Sequence, residues 1–169
     1  MRQTMKFLHT MGAIGLMGAM VCLVVMLIFA PTPGALAEYA ATRSAMAAIS
    51  KWIFMPSLGV TLISGLLAIA ISPAFHNAGW AWVKAASGIL VFESGFIGIL
   101  GPMQREAEMA AKVITGQADV AMLGLTLGPE KMTLWILLGV SVANVVLGVW
   151  RPYLSRRSYS NTSDRALGQ

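Results

Sequence analysis

Charge is scarce in this chain. Asp, Glu, Lys and Arg make up 11% of its 169 residues, where a water-soluble domain carries roughly 25%. That deficit excludes a surface that faces water on all sides. Cysteine is scarcer still. Cys22 stands alone, so no disulfide can close within the chain and no multi-cysteine metal site can be built. A glycine-rich phosphate loop, a nucleophile paired with a base, and a metal-hydrolase spacing are all missing, which removes the common soluble-enzyme classes. No internal repeat points to a solenoid.

What is abundant is apolar sequence: 57% of the residues are hydrophobic, and the mean hydropathy is +0.72. It is gathered into four segments, each close to the ~20 residues that hydrocarbon requires of a crossing helix. We expect spans over about 7–30, 52–71, 80–100 and 131–150 in a domain covering 1–152, followed by a polar, disordered tail over 153–169. The fold expected is all-α, an antiparallel four-helix transmembrane bundle. Arg2, Lys6 and the Ala35-Leu36-Ala37 triplet imitate a signal peptide, but the apolar run from Phe7 to Ala30 is longer than a signal core and reads as a retained helix. Breakers divide the spans: Pro31-Thr32-Pro33-Gly34, Ser72-Pro73 and Gly101-Pro102. Ala35 to Ser50 reads as an interfacial helix leading into the next span, and MQREAEMAAKVI as a short surface helix in the longest loop.

The net charge of +5 does not imply nucleic acid, because the basic residues flank the apolar segments. They read as headgroup anchors and topology signals. Four spans put both termini on one side, with Arg2, Lys6, Lys84, Arg151, Arg156, Arg157 and Arg165; the other side has Arg43, Lys51, Arg105, Lys112 and Lys131. Seven against five favours cytoplasmic termini in a bacterial inner membrane. The partners expected are the lipid bilayer, a second copy or a membrane redox protein, and no nucleic acid.

Candidate functional residues are the polar groups inside the spans. Gly12, Gly15, Gly18 and Ala19 let another helix approach the first span closely. Ser57, Thr61, Ser64 and Ala68 recur on one face of the second, and Ser141, Asn144 and Gly148 form a polar seam on the fourth. Glu93 lies in the middle of the third, where an acid is costly unless it faces the bundle interior. Glu93, Asn144 and Ser64 are therefore the expected buried polar groups of an interior built by the second, third and fourth spans. His9, one turn after Met5, is a candidate metal or haem ligand, and Met5 a candidate thioether beside it. Lys84, beside Trp80 and Trp82, is either an interfacial lysine or a cation for an acidic ligand group at the depth of His9. His76 falls in a loop. No catalytic residue can be named.

In order and spacing, Lys6-Phe7-Leu8-His9, Ile49-Ser50-Lys51-Trp52 through Pro56, Gly65, Gly79-Trp80 through Lys84, and Trp150-Arg151-Pro152 resemble small bacterial four-helix membrane proteins. That group includes the haem-associated protoporphyrinogen oxidase, the copper-resistance D proteins and uncharacterised relatives. The pattern is most similar to the uncharacterised branch: Pro31-Thr32-Pro33-Gly34 and Phe92-Glu93-Ser94 stand where the oxidases carry histidine- and tyrosine-containing stretches. The resemblance implies bound haem b and functional roles for a first-helix histidine and a third-helix lysine, which His9 and Lys84 match. Three functions follow as expectations: a membrane protein binding haem or a related tetrapyrrole, a porphyrinogen-oxidising membrane oxidoreductase, and a copper or proton permease using Glu93, Met5 and His9.

Overall fold

A computed structural model describes residues 2–71 and 79–150. Its elements in order are α1 (Arg2–Ile28), α2 (Leu36–Ile49), a π-helical turn (Ser50–Phe54), α3 (Met55–Ile71), α4 (Gly79–Gly95), a second π turn (Phe96–Leu100), α5 (Gly101–Ile114), a 3₁₀ turn (Val120–Met122) and α6 (Leu127–Trp150). No strand occurs among the described residues. His76 and the tail beyond Trp150 lie outside them.

The four long apolar helices pack in a closed antiparallel ring: α1 on α3, α3 on α4, α4 on α6, and α6 back on α1. The closest of these contacts is α1 on α3. Gly12 and Gly15 explain it. A methyl group at Gly12 would lie 2.5 Å from Thr61 Oγ1 and 3.0 Å from the Ser57 carbonyl, so only a bare Cα fits. The core between the helices is built from Met20, Leu23, Leu27, Phe54, Leu58, Val91, Ile99, Leu134 and Leu137, all buried. Phe7, Ile14, Val25, Ile63, Leu90, Ile97, Trp135 and Ile136 point outward. Large apolar side chains inside and outside alike are what a helix bundle in lipid requires.

One departure from the sequence reading concerns a proline: Gly101-Pro102 does not end the third span. Nor does Pro56 interrupt the lead from α2 into the second. The helical path instead runs unbroken over Leu36–Ile71 and again over Ala81–Ile114. Each proline is preceded by a π turn: the Met55 amide donates to the Ser50 carbonyl ahead of Pro56, and the Gly101 amide to the Phe96 carbonyl ahead of Pro102. The wider turn moves the backbone away from the proline ring, which would otherwise strike the carbonyl four residues earlier. At 1.5 Å per residue, the 36- and 34-residue paths are ~54 and ~51 Å long, against ~30 Å of hydrocarbon. Their surplus, α2 and α5, packs together as a two-helix cap on the side opposite the termini.

Candidate binding site

Polar side chains gather at two levels of the bundle. The first is the mouth on the side of the termini, to which all four spanning helices contribute. On α1, Met5, His9, Gly12, Leu16 and Met20 follow one inward stripe, so His9 faces the bundle and Met5 sits one turn outside it. The His9 ring lies against Gly65 of α3, whose missing side chain leaves the ring its space. His9 Nδ1 is 2.9 Å from the Thr61 carbonyl oxygen and 3.3 Å from Ser64 Oγ. A carbonyl can only accept, so Nδ1 carries the proton and donates it. Nε2 then holds the lone pair. The same division is found in metal-bound histidines whose outer nitrogen is tied to a backbone carbonyl.

Lys84 of α4 is partly buried at the same end of the bundle. One turn deeper, Ser87 Oγ is 2.9 Å from Asn144 Oδ1 of α6 and 3.0 Å from the Lys84 carbonyl, which joins α4 to α6. Ser64 is buried and donates to the Val60 carbonyl at 2.5 Å. Asn144 is partly buried against Ser87. The first span, left out of the polar interior expected from the sequence, supplies a histidine to this mouth.

Glu93 does not join them. It is exposed on the outer face of α4, with no hydrogen bond or ion pair among the described residues. The expectation that it is buried is corrected. Its neighbours on every side of the helix are apolar or small, so no periodicity marked its face. A permease path linking Glu93 to His9 and Met5 through the interior has no counterpart in this arrangement.

The second polar level is the base of the cap, and sequence reasoning missed it. Arg43 of α2 is 1% exposed, Glu130 of α6 1% and Glu106 of α5 5%. Arg43 Nη1 donates to Glu130 Oε2 at 2.7 Å, and Nε to the Tyr39 hydroxyl at 3.3 Å. Tyr39 in turn donates to Glu106 Oε1 at 2.5 Å. Glu106 also accepts from the Gly124 amide at 2.6 Å and from Thr126 Oγ1 at 3.3 Å. Glu106 borders an open cleft of about 190 Å³ with Pro102, Arg105, Met109, Met122 and Thr126, but its oxygens are committed to these bonds. The cluster clamps α2, α5, α6 and the loop between them. A signal was available: Tyr39 and Arg43 are four apart and share a face, and Glu106 lies on one stripe with Met103, Ala110 and Val113.

The donor set can be compared with the cofactors expected. Among the described residues, no three of His, Cys, Asp and Glu are grouped to hold a metal ion. Met5 and His9, one turn apart on the same stripe, cannot bind opposite faces of one haem iron. The donor this leaves at the mouth is His9 Nε2, with the Lys84 amine on α4.

Fold and composition therefore define a multi-pass, all-α membrane protein with a four-helix bundle. No protein-family model, curated protein or solved structure matches this chain.

Proposed function

We propose that this is a bacterial inner-membrane protein that binds haem b or a related tetrapyrrole at the mouth on the side of its termini. His9 Nε2 is the iron ligand, and the Lys84 ammonium pairs with a propionate. The observation that carries this reading is the His9 Nδ1 bond to the Thr61 carbonyl. It holds the ring to α3 and leaves the other nitrogen with a lone pair for a metal. Lys84 supports it as a cation at the same end of the bundle, and Gly65 as the position that leaves room for the ring. When bound, haem supplies an iron that can exchange an electron. The sequence count of seven basic residues flanking the spans on the side of the termini against five opposite favours a mouth that opens to the cytoplasm.

The test is an absorption titration of the detergent-purified protein with haemin. A Soret band should grow to one equivalent and disappear in His9→Ala. Lys84→Met should keep the band but bind roughly tenfold more weakly, the worth of one partly desolvated ion pair. That difference should vanish with the dimethyl ester of haem, whose propionates are blocked. A protein that ignores added haemin, or a band unchanged in His9→Ala, defeats the proposal.

A further inference from the structure

Glu93 is eleven residues beyond Trp82 and twelve short of Arg105 on one helical path. At 1.5 Å per residue each distance is ~17 Å, which puts the carboxyl near the middle of the bilayer. It points outward. Ala86, Leu90 and Ile97 continue the same exposed stripe, spaced by one and two turns, and Ser94 is exposed beside it. Among the described residues, no buried side-chain nitrogen or oxygen lacks a hydrogen-bond partner. Glu93 stands apart from that rule, facing the one medium that offers it neither donor nor acceptor.

We infer that the outer face of α4 is a docking surface for a second copy of this chain, joined at Glu93 and Ser94 around a two-fold axis along the membrane normal. Such an axis brings residues of equal depth together, so Glu93 of one copy meets Glu93 and Ser94 of the other with no further adjustment. The Ser94 hydroxyl of each copy can donate to the Glu93 carboxyl of the other, so the patch complements itself. A different partner would need its own polar group at this same depth. The small Ala86 lets the two helices approach on one side of the acid. Leu90 and Ile97, 63% and 70% exposed, supply matching apolar contact around it. Interhelical hydrogen bonds between such groups are a recognised source of association in lipid, where apolar faces alone supply little.

The test uses the purified full chain in liposomes, with subunits counted by single-molecule photobleaching over a range of protein-to-lipid ratios. Wild type should be dimeric. Glu93→Leu should weaken association roughly tenfold or more, while Glu93→Gln, whose amide can make the same bonds, should keep it. Both replacements lie on the outer face, so the bundle itself should fold unchanged. In a Cys22→Ala background, Leu90→Cys should form an intermolecular disulfide on oxidation, and Val142→Cys, exposed on α6, should not. Equal association of wild type and Glu93→Leu, loss of association in Glu93→Gln, or cross-linking through Val142→Cys overturns the inference. So does pure protein that stays monomeric while Glu93 is needed to capture a different membrane protein.

Discussion

Arg43 illustrates how a single residue can change meaning between sequence and structure. As a charge flanking an apolar segment it counts toward topology. In the fold it is buried between Glu130, Tyr39 and Thr126. Removing one member of a buried ion pair strands the other, which costs about 3–5 kcal/mol. Arg43→Ala should therefore lower the thermal unfolding temperature of the detergent-solubilised protein and open the loop over 115–126 to protease. Tyr39→Phe removes a donor from buried Glu106 and should cost less, about 1–3 kcal/mol by the same measurement. A melting curve unchanged in Arg43→Ala would show that the cap does not depend on the cluster. Ser64 and Asn144 each recur with other polar residues on one helical face, so the sequence gives their direction a signal. Glu93 has none, because a lone acid on a helix that is apolar all round carries no directional signal.

At the scale of the element, the bundle depends on how closely α1 and α3 approach. Gly12 admits no side chain beside the Ser57 and Thr61 backbone. Gly12→Leu should separate the two helices and cost about 1–3 kcal/mol or more through overpacking, read as a lowered unfolding temperature. The same change at Gly18, where nothing lies within 4 Å, should leave that temperature nearly unmoved. Since His9 is held by α3, Gly12→Leu should also weaken the Soret titration, whereas Gly18→Leu should not. The existence and type of these helices could be read from their apolar length. Their ends could not, because a proline ends a helix only when no wider turn is available. The π turns ahead of Pro56 and Pro102 are supported from outside: Phe54 and Ile99 are buried in the shared core.

For the whole molecule, the consequence is a bundle that stands taller than the membrane. Glu38, Glu108 and Lys112 are exposed on the α2–α5 cap. In a Cys22→Ala background, cysteines there should react with a membrane-impermeant maleimide added on the side opposite the termini, while one at Ala86 should be protected by lipid. Labelling at Ala86 comparable to that at Lys112 would refute the depth assigned to α4. The composition alone dictated the setting, since a chain this poor in charge cannot surround itself with water, and the four apolar lengths dictated the number of crossings. Which polar groups turn inward, which one is left facing lipid, and how two spans continue into a cap were decided by tertiary packing. Burial, unlike hydropathy, belongs to the contact between helices: it follows from where glycines allow approach and where a charge finds its counterpart, and neither is written in any single segment.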